Sequence, residues 1–200
     1  MLMNKTSGKL SGKKLNRSFY TRSTLTVAPE LLGKTIVFHH KKGIIAGDIV
    51  EVEAYIGEGD PACHAAPGPT ARNAVMYEKG GFAYIYFIYG MYYCFNIVTE
   101  KKGFPAAVLV RAVQPVFGED IMRVLTPTNT KKLTNGPGKF CRAFGLTRHQ
   151  NGLDLTGSDL YIIDRNQNSS QIGTSPRIGI KKGLDKPWRF FDIGSTFLSR

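Results

Sequence analysis

The chain has 200 residues, 42% of them hydrophobic, which is enough to bury the core of one ordinary domain. Its 27 lysines and arginines outnumber its 15 aspartates and glutamates, so the formal net charge is +12. A charge of this size says nothing about the fold. It favours a nucleic acid as partner, with an anionic membrane surface as a weaker candidate and a protein that is simply basic as the plain alternative.

The sequence shows no signal for membrane insertion or secretion. No apolar run approaches the roughly 18 residues that a transmembrane helix requires. The basic first 17 residues lack the apolar centre of a secretory signal. Cys63, Cys94 and Cys141 are odd in number and far apart, so they predict neither a disulfide framework nor a zinc site. These features predict an intracellular protein that does not associate with membranes.

The start of the chain differs in composition from the rest. The first acidic residue is Glu30, and the polar stretch before it carries six basic residues among Ser, Gly, Asn and Thr. Such a stretch has too few apolar residues to form a core and favours non-specific contact with phosphates. We therefore predict a disordered basic arm over residues 1–18 and one folded domain over residues 19–200.

From residue 26 onward the pattern of apolar and turn-forming residues predicts regular structure. A helix over residues 26–34 would carry Pro29 in its first turn and end at Gly33. The elements that follow are strands over residues 34–40 and 43–57, a hairpin over 82–99, a strand over 106–115, helices over 118–125 and 136–146, and short strands over 159–164, 176–180 and 187–193. Since no repeat or linker divides them, we predict a single domain that mixes helices and strands.

Two segments of this domain are candidates for parts of a binding site. Residues 57–81 are rich in glycine, proline and polar residues, and a loop of this length in a compact domain is often functional. The hairpin that follows is predicted to turn at Gly90, directly after an aromatic residue, Tyr89.

The strand over residues 43–57 carries two glutamates, Glu51 and Glu53. Period-two alternation places its apolar residues on the core face and Glu51, Glu53 and Tyr55 on the opposite face. A glutamate beside an aromatic ring in a partly dry cleft could act as a general base near neutral pH. An exposed strand with two solvated glutamates would have the same pattern, and this segment alone favours that simpler interpretation.

The tyrosine-rich hairpin shifts the balance toward a binding site. Tyr84 and Tyr86 share one face of their strand, and Tyr89 lies at the turn. In a basic protein, a stacked base is the natural partner for an exposed aromatic ring and is worth about 1–3 kcal/mol. Such a residue can also act as a wedge that makes room for a nucleotide to leave the stack. A strand pair packed in the core is the alternative, but it leaves Tyr89 unexplained.

Two basic side chains complete the candidate site. Arg111 interrupts an apolar strand, where a charge is nearly always paired, and Glu53 is the candidate partner. Pro137, flanked by glycines and followed by Lys139, predicts a helix N-terminus whose N–H groups could bind a phosphate. An arginine facing water at a sheet edge and an ordinary helix start are the alternatives.

Six segments together resemble one known family. The stretches VEVEAYIGEGDPACHA, ARN, YIYFIYGMYYCFNI, VLVRAVQP, GPGK and PRIGI occur in the order and spacing of the alkyladenine (3-methyladenine) DNA glycosylases. The resemblance covers nearly all of residues 19–200 and is specific, because several long motifs match jointly. It implies an α+β fold, a single mixed domain with a curved antiparallel β-sheet, surrounding helices and a protruding β-hairpin.

The resemblance implies a role for each residue of the candidate site. Glu53 would be the general base that activates a water, with Arg111 and the backbone carbonyl of Ile178 holding that water. The residues implied to bind the flipped base are Tyr55, His64 and Tyr86, which would stack on it, and Asn96, which would clash with the amino group of a normal guanine. The residues implied to contact DNA are the wedge Tyr89, its neighbours Met91 and Tyr92, and Gly136 and Lys139 at the helix start.

The implied activity is that of a monofunctional DNA glycosylase, which flips alkylated or deaminated purines such as 3-methyladenine and hypoxanthine out of duplex DNA. It would hydrolyse the N-glycosidic bond and so start base excision repair. The expected partner is damaged double-stranded DNA, the expected state is a monomer, and no metal or cofactor is expected. No lysine occupies the place of a Schiff-base nucleophile near Glu53, so no lyase activity is expected. A non-catalytic module that binds DNA by stacking and charge is the alternative.

Overall fold

The structure, a computed structural model, describes residues 10–127, 132–167, 169 and 171–199. Its elements in chain order are β1 (Lys13–Lys14), α1 (Arg17–Tyr20), α2 (Thr24–Glu30), β2 (Thr35–His40), β3 (Gly43–Ile56), β4 (Ala83–Ile88), β5 (Tyr92–Val98), β6 (Ala106–Phe117), α3 (Glu119–Leu125), α4 (Pro137–Phe144), β7 (Leu160–Asp164), β8 (Ile172–Ser175) and β9 (Arg189–Asp192). Short 3-10 helices cover Ala74–Tyr77 and Arg148–Gln150.

The strands of the described residues form one nine-stranded antiparallel sheet. The order across it is β1-β7-β2-β3-β6-β5-β4, and the β8–β9 pair joins along β3. Together with the four α-helices, this arrangement confirms the predicted α+β class. The hairpin is also confirmed, because β4 and β5 pair with each other across a turn at residues 89–91.

Strand β3 positions the two candidate carboxylates. Its first part, from Gly43 to Asp48, pairs with β2, and its later part, from Glu51 to Glu53, pairs with β9. Strand β6 follows its other edge, with a register shift between Ile49 and Glu51 that marks a bulge. Glu51 and Glu53 therefore lie on the middle strand of three, and both are fully buried. The simpler interpretation, with two solvated glutamates, is wrong.

The main core holds β3 against the helices on the other side from these carboxylates. Ile49, Val52 and Ala54 of β3 belong to this core. Phe140 of α4 packs edge-on against Phe95 of β5, with ring centroids 5.9 Å apart. This contact fixes α4 on the hairpin, and the start of α4 is thereby placed beside the candidate site.

Helix α2 begins two residues earlier than predicted. The carboxylate of Glu100 accepts hydrogen bonds from the backbone N–H of Thr24 at 2.7 Å and from its hydroxyl at 2.9 Å. An acidic group at this place satisfies the free N–H groups of the helix start. Pro29 therefore lies near the end of the helix and not in its first turn. Glu100 is distant in the chain, so no local pattern predicts this start.

The strand predicted over residues 176–180 is wrong. The strand lies just before it, in β8, and residues 176–180 form a loop. In this loop the Arg177 guanidinium donates to the carboxylate of Asp60, and the N–H of Ile178 donates to Glu53. The segment is therefore held by hydrogen bonds to the side chains of Asp60 and Glu53, and it does not form a strand.

Part of the predicted arm is ordered. Residues 1–9 lie outside the described residues, but Lys13–Lys14 pairs with β7 as strand β1, and α1 begins at Arg17. The guanidinium of Arg17 forms an ion pair with Asp154. Disorder is therefore the wrong expectation for residues 13–18, because these contacts join positions far apart in the sequence.

No helix in the described part of the chain is long and apolar enough to cross a bilayer. Cys63, Cys94 and Cys141 are free and buried. Burial raises the pKa of the Cys63 thiol to about 11, so this side chain stays protonated at neutral pH. Among the described residues, no three His, Cys, Asp or Glu side chains lie close enough together to hold a metal ion.

Candidate active site

A cavity of about 570 Å³ opens beside the C-terminal end of β3. Its walls come from β3 and the loop after it, the β4–β5 hairpin, β6, the start of α4 and the loop after β8. The predicted site residues that line it are Tyr55, His64, Tyr86, Tyr89, Tyr92, Asn96, Arg111, Gly136, Lys139 and Ile178. Of the other two, Glu53 lies behind the wall and Met91 lies outside the cavity, in the hairpin turn. The sheet thus brings together segments that are far apart in the chain.

Glu53 is a fully buried carboxylate held by three donors. Its Oε1 accepts a hydrogen bond from the Ile178 N–H at 2.7 Å and pairs with Nη1 of Arg111 at 3.1 Å. Its Oε2 accepts a hydrogen bond from the Tyr55 hydroxyl at 2.8 Å. All three donor residues line the cavity, so the carboxylate lies directly behind them. A carboxylate oxygen has two lone pairs, and Oε2 has a single donor among the described residues, so it can accept one more hydrogen bond.

Arg111 bridges two buried carboxylates. Its Nη1 pairs with Glu53, as the sequence predicts, and its Nε donates to Oε1 of Glu51 at 3.0 Å. Arg111 itself is 6% exposed, so the alternative of an edge-strand arginine facing water is wrong. Glu51 also accepts a hydrogen bond from Nε of Arg189 at 2.8 Å. The two glutamates and the two arginines therefore form one cluster of ion pairs. Buried charges are tolerated in proteins when they are paired in this way.

The loop after β8 is anchored by a buried ion pair that the sequence analysis missed. The Arg177 guanidinium donates to both oxygens of Asp60, at 2.5 and 2.8 Å, and both side chains are fully buried. The same guanidinium lies over the Tyr55 ring, 4.7 Å from its centroid. The pair fixes the neighbouring Ile178, whose N–H reaches Glu53. The implied role of the Ile178 carbonyl stays a prediction.

The Asp60 carboxyl is ionised under ordinary conditions. Burial by itself would raise its pKa, but hydrogen bonds from Arg177 and from the backbone N–H groups of Ala62 and Ile56 outweigh burial and hold the pKa below its usual value. Both members of the pair escaped sequence analysis, because Asp60 precedes Pro61 as in a turn and Arg177 lies in a stretch that resembles a strand. Their one signal is that both lie in motifs that carry the family resemblance.

Aromatic rings form the part of the cavity where a base is predicted to stack. The His64 ring stands edge-on to Tyr86, with centroids 4.4 Å apart, and its Nδ1 lies 2.8 Å from the Tyr84 hydroxyl. The Asn73 side chain donates to the His64 carbonyl at 2.8 Å within the long loop, and the contact from His64 to Tyr84 joins that loop to the hairpin. The structure thus brings His64 and the two predicted tyrosines, Tyr55 and Tyr86, to one cavity.

Burial, and to a smaller extent the charge of Arg72, lower the pKa of His64 to about 4. The imidazole is therefore neutral at physiological pH, with one ring nitrogen acting as a donor and the other as an acceptor. A neutral ring next to the cavity avoids repulsion of a cationic ligand, whereas a protonated ring would repel it.

Stability should fall in mild acid because of His64. The unfolded chain binds a proton here as the pH falls through 6.5, and the folded chain binds it only near pH 4. Stability present above pH 6.5 is therefore lost as the pH falls toward 4. We expect a loss of about 2 kcal/mol from this group, after discounting for its partial exposure. Urea unfolding at pH 7 and pH 4.5 measures the loss, which should be smaller by that amount in His64→Gln. Equal losses in the two proteins would contradict the assignment.

The Asn96 side chain is oriented by backbone carbonyls. Its Nδ2 donates to the carbonyl of Tyr84 at 3.0 Å and approaches that of Cys94 at 3.5 Å. The amide is therefore fixed with Oδ1 as its remaining acceptor in a residue that lines the cavity. The implied clash with a guanine amino group stays a prediction.

The hairpin turn holds two exposed apolar side chains, of which Tyr89 lines the cavity and Met91 does not. Tyr89 is 76% exposed and Met91 is 61% exposed. The turn is confirmed at Gly90, which has a φ of 67°, and Tyr89 also has a positive φ, of 54°. That conformation is uncommon and strained for a bulky residue. Exposure and strain at one position are costs that contact with a partner could offset.

Helix α4 presents its N-terminus to the cavity, as the sequence predicts. Pro137 is its first residue, and Gly136 is the N-cap. Its first turn lies so close to the hairpin that a Cβ at Gly138 would be 2.7 Å from Cδ1 of Tyr92. A larger residue at this contact would force the Tyr92 side chain to move. Lys139 is exposed beside it, at the cavity.

The chain matches a family model described as methylpurine-DNA glycosylase (MPG) over residues 18–196. A protein of Methanocella arvoryzae is 50% identical over 191 residues, which cover 93% of this chain and 96% of that protein. Proteins of Sodalis glossinidius and Clostridium novyi are 48% and 45% identical, over 90% and 94% of this chain and 98% and 99% of their own lengths. All three relatives bear the name "Putative 3-methyladenine DNA glycosylase".

Proposed function

Because this chain belongs to the methylpurine-DNA glycosylase family, we propose that it excises 3-methyladenine and hypoxanthine from duplex DNA with a water activated by Glu53. Membership confirms the resemblance, and with the relatives it makes the chain a DNA-repair hydrolase of N-glycosyl bonds. One observation carries the mechanism: a buried carboxylate lies behind an aromatic cavity, with all its donors in the cavity wall.

The hydrolytic step needs a base, a held water and a leaving group. Oε2 of Glu53 accepts a proton from the water, and the Arg111 guanidinium orients the same water from the cavity side. The water oxygen forms a bond to C1′ of the flipped nucleotide while the bond from C1′ to the base nitrogen breaks, and the base leaves with the electron pair. The Tyr55 hydroxyl keeps Glu53 in place, since burial and the neighbouring carboxylate raise the pKa of this phenol and keep it protonated.

The cavity suits a flat cationic base. Tyr55 and Tyr86 offer electron-rich ring faces, and burial raises the pKa of both phenols, so neither ring carries a charge at neutral pH. An alkylated purine that bears a positive charge stacks well on such rings and is already a good leaving group. Hypoxanthine is neutral and leaves less readily, so we expect slower excision of this base.

The hairpin turn is proposed to occupy the space that the flipped nucleotide leaves in the duplex. Tyr89 projects from the turn and Met91 follows it, both exposed. Insertion of such a wedge kinks the duplex, which the basic surface then holds. The net charge of +12 and Lys139 at the start of α4 support contact with double-stranded DNA, and we propose that the protein acts on it inside the cell as a monomer.

Replacing Tyr89 with asparagine should separate DNA binding from stability. Asparagine tolerates positive φ, so the melting temperature should stay the same or rise. Loss of the stacked ring should weaken binding to lesion-containing duplex about tenfold, within the range of one base–aromatic contact. Val124→Asn on α3, another largely exposed apolar position, serves as control and should leave binding unchanged. Undiminished binding by the Tyr89 variant would remove the wedge from the proposal.

Release of free base tests the proposed activity. Short duplexes with one 3-methyladenine or one hypoxanthine would be incubated with excess protein, and the released base would be separated by chromatography. We expect release from both, faster from 3-methyladenine, and no covalent adduct on borohydride treatment. Damage-blind binding without release would favour the non-catalytic DNA-binding module, and a trapped adduct would contradict hydrolysis by water.

A further inference from the structure

The buried carboxylate of Glu51 is held by donors from three segments. Its Oε1 accepts hydrogen bonds from Nε of Arg111 at 3.0 Å, Nε of Arg189 at 2.8 Å and the Ser199 hydroxyl at 2.7 Å. Its Oε2 accepts one from the Ser199 backbone N–H at 2.5 Å. Ser199 therefore supplies two of these four donors to a carboxylate that is fully buried.

We propose that Ser199 is a positioning residue that acts on excision through Arg111, an inference that rests on the proposed function of Arg111 and Glu53. The Ser199 hydroxyl lies between Arg111 and Glu51, because it accepts from Nε of Arg111 at 3.1 Å while donating to Glu51. The single Nε–H is thus shared between the Ser199 hydroxyl and Oε1 of Glu51, and these two acceptors orient the guanidinium with Nη1 toward Glu53.

The position of this guanidinium matters for the proposed reaction. Arg111 holds both the general base and the attacking water, and a displacement of about 1 Å in a positioning group can cost about a hundredfold in rate. Among the described residues, the Ser199 N–H is the donor to Oε2 of Glu51. Without the Ser199 hydroxyl, Glu51 keeps its other three donors, but Nε of Arg111 loses one of its two acceptors, and the guanidinium can shift away from Glu53.

The segment that carries Ser199 is anchored on the domain. The Phe197 N–H donates to the Ser195 hydroxyl at 3.1 Å, and Lys132 contacts both the Thr196 carbonyl and the Phe197 ring. Ser199 itself is 8% exposed. Its position lies beyond residues 18–196, to which the family model matches, so the family match assigns it no role.

The test compares Ser199→Ala with Ser199→Thr and with Ser158→Ala, which alters an exposed serine whose hydroxyl donates to its neighbour Asp159. With single-turnover release of 3-methyladenine as the readout, Ser199→Ala should be about tenfold slower than the unaltered chain. Ser199→Thr, which keeps the hydroxyl, should recover most of the rate, and Ser158→Ala should match the unaltered chain. Affinity for a duplex with an uncleavable abasic analogue should stay within twofold in all three.

A purely structural role for Ser199 would give other results. The same serine change in an Arg111→Lys background, which lacks the Nε contact, should slow release by less than twofold if Ser199 acts through Arg111. An equal tenfold loss in both backgrounds would overturn the proposal, as would an unaltered rate in Ser199→Ala. Melting temperatures of all variants exclude loss of folded protein as the cause. Failure of the proposed function is distinct, because the unaltered chain would then release no base.

Discussion

Replacing Arg177 with methionine should destabilise the domain by about 3–5 kcal/mol, because it leaves the buried carboxylate of Asp60 without its partner. In a domain of this size, the melting temperature should fall by about 10 °C. Tyr55 and Trp188 would lose the guanidinium that lies over both rings. Thermal or urea unfolding measures the loss directly.

Two further variants test the cause of this loss. Arg22→Met removes an arginine from an exposed pair with Glu30 and should cost about 0.5 kcal/mol or less. Asp60→Leu combined with Arg177→Met removes both charges and should recover part of the stability that Arg177→Met loses. A loss below about 1 kcal/mol in Arg177→Met would show that the buried pair is not what anchors the loop after β8.

The pH dependence of the Asp60–Arg177 pair follows from the lowered pKa of Asp60. The unfolded carboxyl takes up its proton near pH 4, and the folded one does so only at lower pH. The contribution of the pair to stability is therefore complete above about pH 4 and is lost as the pH falls below it. This window lies below that of His64, so the two groups can be distinguished in one pH series.

Elements with strong local signals could be predicted from the sequence. Helix α4 begins at Pro137 and ends before Gly145, as the usual preference for proline at a helix start and glycine after its end predicts. Gly90 marks the hairpin turn. Alternation in β3 placed Glu51 and Glu53 on one face correctly, because side-chain direction is a local property of a strand. Burial of that face was not predictable, since it depends on β9 and on Ser199, which lie about 140 residues further along the chain.

Contacts between distant positions account for what the sequence could not show. Asp60 and Arg177 form a buried pair across 117 residues, and each alone resembles an ordinary turn or strand residue. His64 has no periodic signal at all, and its place in the site came from the family resemblance. The position of His64 depends on how the long loop folds, which includes a hydrogen bond from the Asn73 side chain to the His64 carbonyl.

The second large effect concerns the proposed base. Glu53→Gln keeps the shape of the side chain and one oxygen as the acceptor for Arg111 and Ile178, but replaces the oxygen that takes the proton from water with an NH₂ group, to which the Tyr55 hydroxyl can act as acceptor. Loss of a general base costs about a hundredfold to ten-thousandfold in rate. Arg111 retains Glu51 as a partner, so the variant should still fold. Glu53 does not line the cavity, and DNA affinity should therefore change by less than about threefold.

Single-turnover release of 3-methyladenine by the unaltered chain, Glu53→Gln and the surface control Glu30→Gln is the measurement that tests the central claim most directly. Glu30→Gln makes the same chemical change as Glu53→Gln, but Glu30 is exposed, whereas Glu53 is fully buried behind the cavity. We predict equal release by the unaltered chain and Glu30→Gln, and release slower by about a thousandfold in Glu53→Gln with lesion binding intact. Release by Glu53→Gln at the rate of the unaltered chain would contradict the claim that this carboxylate activates the water.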